Sequence, residues 1–182
     1  MMTGKDYKAS LDDGRETYFE GEQIANVAEH PLLGQTVESA AKGYDRFYDP
    51  TPGAVGAFMK VPDSAAALRE QVELHETVDL LTHVTYASIM TLLTAADRIE
   101  ADLPENAARI RAYVDQVQKA DLRITQCITD SKGDRSKRPG DQAVTDAYVH
   151  VTQRNAEGIV ISGVKAIVTG GPYMHELLVM PC

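Results

Sequence analysis

The chain has 182 residues, of which 43% are apolar and 25% are charged, and its formal net charge is -9. This length predicts one domain, or one and a part, with a core large enough to be stable. The balance of 27 acidic against 18 basic side chains disfavours a nucleic-acid-binding role, because phosphate recognition needs a basic face.

The cysteine content and the lack of long apolar runs indicate the compartment. Cys127 and Cys182 cannot form a disulfide framework or a zinc site, and they fit a reducing environment. The N-terminal residues lack the apolar run of a signal peptide, and no run of about 18 apolar residues is present to span a membrane. We therefore expect a cytoplasmic protein with no membrane partner and no metal site.

The patterns of residues 1–128 predict an α-helical domain that contains one small hairpin. Its elements are a helix over residues 5–11, hairpin strands at 17–19 and 23–27, a helix over 33–48, helical residues from about 65 to 96, and a helix over 105–121. Thr3 is expected to cap the first helix, and Ser64 or Asp63 the third. His75 and His83 would lie two turns apart on a helix, so we expect ordinary packing or surface histidines.

Residues 129–182 predict a polar loop and then the start of a β domain. The loop covers residues 129–146, and β-prone runs follow at 147–152, 159–162, 164–169 and 176–180. Loops of this length are usually functional or disordered. Three or four strands make an open sheet whose unpaired edges need a cover. Either a second polypeptide completes the sheet, or this is the N-terminal piece of a longer protein.

The loop carries the strongest local chemical signal. No hydrolase, Walker or zinc-protease motif is present. The run from Lys132 to Arg135 combines cations with a glycine, which suits an anion such as the pyrophosphate of a dinucleotide or of coenzyme A. A solvated linker between an α and a β domain explains the same residues. Thr169 marks either a strand end or a place where a hydroxyl meets a ligand.

Four stretches, in matching order and spacing, resemble the 4-hydroxyphenylacetate 3-hydroxylase / 4-hydroxybutyryl-CoA dehydratase family. They are residues 3–7 with residues 11–15, residues 18–22 with His30-Pro31, residues 129–135, and residues 163–166 leading to Thr169-Gly170. The resemblance covers the N-terminal helical domain and the first part of the central β domain of these acyl-CoA dehydrogenase-like flavoproteins. It implies an α+β fold, with a helical bundle that bears a small hairpin, followed by the first strands of an incomplete β-barrel-like domain.

The resemblance also implies FAD as the cofactor, bound between the β domain and the helices. The residues implied to border it are Lys132, Gly133, Asp134, Arg135, Gln142 and Thr169. Among them, Thr169 matches a family threonine that hydrogen-bonds the flavin ring near its reactive edge. In such enzymes the protein positions the reactants and the flavin supplies the redox chemistry.

Two departures from the family pattern affect the expected chemistry. Dehydratase members hold a [4Fe-4S] cluster through two cysteines that align near Val78 and Thr82, so without thiolates we expect no cluster. Hydroxylase members present an Arg, a Tyr four residues later, and a His before the loop. Thr82 stands at the Arg position and Gln126 near the His, as altered substrate contacts, while Tyr86 retains the Tyr as the candidate catalytic residue.

The resemblance leads to one preferred function and two alternatives. The preferred function is a FAD-dependent two-component monooxygenase supplied with reduced flavin by a separate reductase. The first alternative is a dehydratase/isomerase-like enzyme acting on an acyl-CoA, and the second is a non-catalytic half-protein that completes another chain's flavin site. All three need a chain or segment that supplies the rest of the β domain and the C-terminal helices, within a homo-oligomer or hetero-oligomer.

Overall fold

The computed structural model describes residues 1–181 of the chain, so Cys182 lies outside the described residues. Its helices are α1 (Gly4–Ser10), α2 (Leu33–Phe47), α3 (Ala65–His75), α4 (Leu80–Ile99) and α5 (Pro104–Ala120). Its strands are β1 (Thr17–Phe19), β2 (Glu22–Ile24), β3 (Ile124–Cys127), β4 (His150–Arg154), β5 (Ile159–Ser162) and β6 (Glu176–Val179). The fold is therefore the expected mixture of helices and small sheets. Among the described residues no barrel closes.

The N-terminal elements form for the reasons that the sequence suggests. The Thr3 hydroxyl accepts a hydrogen bond from the backbone N–H of Asp6, whose carboxylate accepts one from the backbone N–H of Thr3, a reciprocal cap that starts α1. β1 and β2 pair as the predicted antiparallel hairpin. The turn places Glu20 and Gly21 at positive φ, which glycine adopts without steric cost.

The chain forms two compact units. The first contains Met1–Thr125 and Gly170–Glu176, and the second contains Gln126–Thr169 with the residues from Leu177 onward. The first unit has an aromatic and aliphatic core in which the Tyr7 ring stacks on Tyr44 with centroids 4.7 Å apart. The other buried members of that core are Leu11, Val27, Val37, Ala40, Ala41, Leu81 and Met174. The predicted domain division at residues 128/129 stays a prediction.

The helical middle of the chain is broken where a continuous helix was the simpler prediction. α3 starts at Ser64, whose hydroxyl accepts from the Ala67 N–H, and it ends at His75. Asp79 then caps a new helix by accepting from the N–H of Thr82 at 3.0 Å. The prediction that His75 and His83 lie two turns apart on one helix is therefore wrong, because the Asp79 cap starts a second helix.

The buried face of α4 carries several hydroxyl side chains. Thr82, Thr85 and Ser88 are buried together with Ile89. The Thr85 hydroxyl donates to the carbonyl of Leu81, and that of Ser88 donates to the carbonyl of Val84, so the polar atoms are satisfied within the helix. Small hydroxyl residues allow the segment around β3 to approach α4 closely.

The β region differs from the predicted open sheet. Besides the β1–β2 hairpin, the described residues form two separate two-stranded sheets, β3–β6 and β4–β5, and β3 had not been predicted. The predicted strand over 164–169 is absent, and only a single bridge joins Lys165 to Asp130. Gly163 at φ 133° and Ile167 at φ 57° explain this, since left-handed residues interrupt an extended ladder.

Candidate functional site

Thr82, one of the expected substrate contacts, lies inside the first unit rather than at its surface. It is 1% exposed. Its hydroxyl donates to Asp79 Oδ2 at 2.9 Å and accepts a hydrogen bond from the guanidinium of Arg123. The polar atoms of this side chain are therefore occupied by α4 itself and by the segment before β3. A substrate role for Thr82 stays a prediction.

Arg123 is the largest buried side chain, and sequence reasoning missed it. Its guanidinium lies 4.6 Å from the ring centroid of Tyr44 and 4.5 Å from that of Phe58, so two aromatic faces enclose the cation. Two of its nitrogens, Nε and Nη2, are buried without a hydrogen-bond partner among the described residues. Within the first unit, Arg123 thus contacts the Tyr44 ring of α2, the Phe58 ring and the Thr82 hydroxyl of α4.

His175 lies in the same unit and is connected by hydrogen bonds on both ring nitrogens. Nδ1 accepts from the backbone N–H of Arg123 at 2.8 Å, so the neutral ring carries its proton on Nε2. Nε2 is 2.8 Å from the hydroxyl of Ser10, which donates to the carbonyl of Tyr7. Burial, with the nearby charges of Arg15 and Arg123, lowers the pKa of His175 to about 4.

Tyr86, the expected catalytic residue, lies in the wall of a cavity of about 370 Å³ in the first unit. The wall is formed by α3, α4 and the bend between them, through Leu68, Gln71, Val72, His75, Glu76, His83 and Tyr86. Burial raises the pKa of the Tyr86 hydroxyl. A pocket of this size and mostly apolar character suits a small organic ligand with a single ring.

His75 and His83, expected to be ordinary packing or surface histidines, line the same cavity wall as Tyr86. The ring centroid of His75 is 4.3 Å from that of Tyr86 and 4.9 Å from that of His83. The Nδ1 atoms of the two histidines are 3.0 Å apart. Burial lowers the pKa of His75, and the charge of His83 adds to this. This contact could have been predicted from the sequence only by recognising that a helix ends at His75 and that a new helix begins before His83.

In the second unit, the loop residues expected to border a cofactor are organised by Gln142. Its Oε1 accepts from the N–H of Asp134 at 2.8 Å, and its Nε2 donates to the carbonyl of Asp134 at 2.9 Å. Longer bonds run from Nε2 to the carbonyls of Arg138 and Lys137. The structure thus brings Gln142 next to the run from residue 132 to residue 135. Its side-chain amide hydrogen-bonds to main-chain atoms of the loop.

The close contact of Gly133 with Gln142 leads to a prediction about the loop. A Cβ on Gly133 would lie 2.5 Å from Oε1 of Gln142 and 2.8 Å from the Tyr148 ring. In Gly133→Ala, Gln142 must therefore leave the Asp134 amide. We expect that amide to exchange with solvent about fivefold faster, since one hydrogen bond contributes about 1 kcal/mol.

The matched control for this loop prediction is Gly140→Ala. A Cβ at Gly140 meets nothing within 4 Å, although the residue belongs to the same loop. Hydrogen exchange of the Asp134 amide is expected to stay at the wild-type rate in this variant. Equal exchange in both variants and the wild type would contradict the role of Gln142 as the organiser of the loop.

The other residues that were singled out in the sequence lie at the following positions in the structure. Lys132, Asp134 and Arg135 are exposed, Thr169 is exposed in the segment before Gly170, and Gln126 is half-buried in β3. Cys127 is buried as a free thiol, as expected for a small hydrophobic residue. Tyr86 and Thr82 belong to the first unit, whereas Gln126, the loop residues and Thr169 belong to the second.

Comparison with known proteins identifies the family. A family model described as "4-hydroxyphenylacetate 3-hydroxylase N terminal" matches residues 3–182. The chain is 28% identical to a 4-hydroxyphenylacetate 3-monooxygenase oxygenase component of Geobacillus sp. (strain PA-9), over 98% of the chain and 40% of the relative. It is 29% identical to the FADH(2)-dependent monooxygenase TftD of Burkholderia cepacia, over 96% of the chain and 39% of the relative.

A solved structure gives the same result. The oxygen-tolerant 4-hydroxybutyryl-CoA dehydratase from N. maritimus superposes with a TM-score of 0.76 at 27% identity, over 98% of this chain and 39% of that one. The chain therefore spans about two-fifths of the length of the proteins it matches. None of the described helices has the length and apolarity needed to cross a bilayer. With a family match over nearly every residue, the chain belongs to the family of 4-hydroxyphenylacetate 3-hydroxylase N-terminal regions.

Proposed function

We propose that this chain is the N-terminal part of a FAD-dependent, two-component monooxygenase that hydroxylates a small aromatic substrate. The observation that carries this proposal is the largely apolar cavity of about 370 Å³ with Tyr86 in its wall. A cavity of this size suits one aromatic ring. The Tyr86 hydroxyl is the catalytic candidate, because it can hydrogen-bond a substrate oxygen and orient the ring for reaction.

The second unit offers residues that fit the phosphates of FAD. Lys132 and Arg135 are exposed. The ion pairs formed within the described part of the loop region involve other cations, Lys137 with Asp134 and Lys165 with Asp130. Three cations of the loop, Lys132, Arg135 and Arg138, are outside these ion pairs, and of these Lys132 and Arg135 are the ones proposed to face a pyrophosphate. Gly133 keeps the backbone close to Gln142, and Gln142 acts here as a positioning residue. FAD, when bound, would supply the reaction with oxygen.

Thr169 is the proposed hydrogen-bond partner of the flavin ring. In Thr169→Val the side chain keeps its shape and loses its hydroxyl. We expect the dissociation constant of FAD to rise about tenfold, as for the loss of one hydrogen bond to a ligand. The measurement is quenching of flavin fluorescence, and Thr152→Val, an exposed residue of β4, is the matched control. Equal affinities in all three proteins would remove Thr169 from the site.

The dehydratase alternative requires a metal cluster that these residues do not fit. At the two positions aligned with cluster cysteines, Val78 carries no donor atom, and the Thr82 hydroxyl is engaged by Asp79 and Arg123. Thiolates are the ligands that iron–sulfur clusters require. We therefore propose a protein without an iron–sulfur cluster, and the related dehydratases share its fold rather than its chemistry.

The proposal includes a further polypeptide region that covers the second unit. Ile159, Val160 and Ile161, which are consecutive in β5, are all more than 40% exposed, and so is Ile167 at 89%. Consecutive strand residues point to opposite faces, so both faces of the β4–β5 hairpin are apolar. The remaining three-fifths of the relatives' length is the proposed cover. A homo-oligomer or hetero-oligomer and a separate flavin reductase complete the assembly, in the cytoplasm.

The decisive experiment isolates the chain from its native cell with the polypeptide to which it is joined or bound. We expect FAD near one equivalent per chain and hydroxylation of a phenol when reduced FAD and oxygen are supplied. Stoichiometric iron and sulfide would instead favour the dehydratase, and a flavin-free complex would favour a non-catalytic half-protein.

Tyr86 is tested in the same complex. Tyr86→Phe is expected to lower the turnover number for phenol hydroxylation while FAD content stays at the wild-type value, because only the hydroxyl that contacts the substrate is removed. Tyr48→Phe, at an exposed residue after α2, is the matched control. A turnover number in Tyr86→Phe equal to that in the control would show that the Tyr86 hydroxyl does not contribute to catalysis.

A further inference from the structure

The two histidines in the cavity wall converge on one point. Nδ1 of His75 at the end of α3 and Nδ1 of His83 in the first turn of α4 are 3.0 Å apart. At this distance one proton is shared, with one nitrogen as donor and the other as acceptor. Contact with the Tyr86 ring holds the His75 ring in place. The proton of one Nδ1 atom and the lone pair of the other therefore face each other across this contact.

The distance between the two Nδ1 atoms is compatible with two nitrogens bound to one metal ion. Metal–imidazole bonds of about 2.1 Å that meet at a right angle place their nitrogens about 3.0 Å apart, whereas a tetrahedral angle gives about 3.4 Å. The observed distance of 3.0 Å therefore fits the right-angle arrangement of tetragonal or octahedral ions, which Ni²⁺ and Cu²⁺ adopt with nitrogen and oxygen ligands.

We propose that His75 and His83 form a two-histidine binding site for a divalent transition-metal ion in the wall of the Tyr86 cavity. On metal binding, the ring that carries its proton on Nδ1 takes the Nε2–H tautomer, so both Nδ1 lone pairs face the metal and no proton is lost. Within the described part of the chain, no group of three or more His, Cys, Asp or Glu side chains is placed to hold a metal. Water or a small ligand in the cavity therefore fills the other coordination positions.

Access and charge favour this site. His83 is exposed, so an ion reaches its ring from solvent without opening the core. Glu76 lies in the same cavity wall, and the net charge of the chain is -9, so the local and overall fields attract cations. The site shares its cavity with Tyr86, but the proposal does not rest on the flavin chemistry, because it depends only on the observed contact of the two histidines.

The test is a calorimetric titration of the chelator-treated protein with NiCl₂. All proteins carry Cys182→Ser, which removes a competing thiol. The wild-type sequence in this background is expected to bind one Ni²⁺ per chain. His83→Ala is expected to weaken binding at least about tenfold, since even the loss of an outer-shell partner of a metal ligand costs that much.

Two further variants make the result decisive. His75→Ala is expected to lose the same site, and circular dichroism checks that it remains folded. His150→Ala, a half-buried histidine of β4 in the second unit, is expected to keep the wild-type affinity and stoichiometry. Absence of Ni²⁺ binding in the wild type, or equal binding in the folded His83→Ala protein, would overturn the proposal.

Discussion

Replacing Arg123 with alanine is expected to lower the free energy of unfolding by about 3–5 kcal/mol. The side chain is 1% exposed and lies between the rings of Tyr44 and Phe58, so its removal leaves a cavity against two aromatic faces. It also removes the cation that lowers the pKa of the buried Asp121 carboxyl, against the burial that raises it. The Asp121 carboxylate then keeps only the Met2 N–H and the N-terminal charge as compensation, which adds to the cost of the cavity.

The hydrogen bonds of Arg123 add a second contribution. Its guanidinium donates to the Thr82 hydroxyl, which donates in turn to Asp79 at the start of α4. Without Arg123, Thr82 loses its buried donor partner. Arg123→Lys is not expected to restore stability, because an ammonium cannot lie flat between two rings as a planar guanidinium does.

Urea unfolding of the wild type and the variants measures this prediction. Arg111→Ala is the matched control, because Arg111 forms ion pairs with Asp97 and Glu100 at the exposed surface of α4 and α5. Exposed pairs contribute little, so the urea midpoint of the control should stay close to that of the wild type. A midpoint for Arg123→Ala equal to the control would show that the buried guanidinium does not stabilise the helical unit.

Local signals in the sequence were sufficient for most of the elements. The Thr3 cap, the hairpin turn at Gly21 and the Ser64 cap each depend on residues within a few positions, and the structure confirms all three. β3 escaped prediction because its four residues follow directly after α5 and pair with β6 about 50 residues later in the chain. Strands that pair across such a separation in sequence leave no local hydrophobic pattern from which the pairing could be predicted.

The candidate site shows the same limit. The loop from Lys132 to Arg135 could be proposed from the sequence, because its two cations and its glycine lie within four residues, and its role stays a proposal. The contact of His75 with His83 could not, because it depends on the helix break that Asp79 creates. Arg123 was missed for a related reason, since arginine side chains are mostly exposed, and only tertiary contacts with two distant rings bury this one.

Lowering the pH from about 6.5 to about 4 is expected to remove about 3 kcal/mol of stability through His175 alone. Its folded-state pKa is lowered to about 4 from an unfolded value of 6.5, so the unfolded chain binds its proton first as the pH falls. This stabilisation is complete above pH 6.5 and is lost progressively down to pH 4. Protonation places a hydrogen on Nδ1, which then can no longer accept from the Arg123 N–H.

The contribution of His175 is isolated by comparison with His175→Asn, because burial raises the pKa of Asp121 and so gives a dependence of opposite sign. The asparagine carbonyl keeps an acceptor for the Arg123 N–H and cannot titrate. Urea unfolding at pH 7, 5.5 and 4.5 should show a shallower loss of stability in this variant than in the wild type. His150→Asn should keep the wild-type slope, and identical slopes in all three proteins would contradict the role of the buried neutral ring. Because His175 joins Ser10 to Arg123, the same titration would report on the contact between the N-terminal helix and the buried cation.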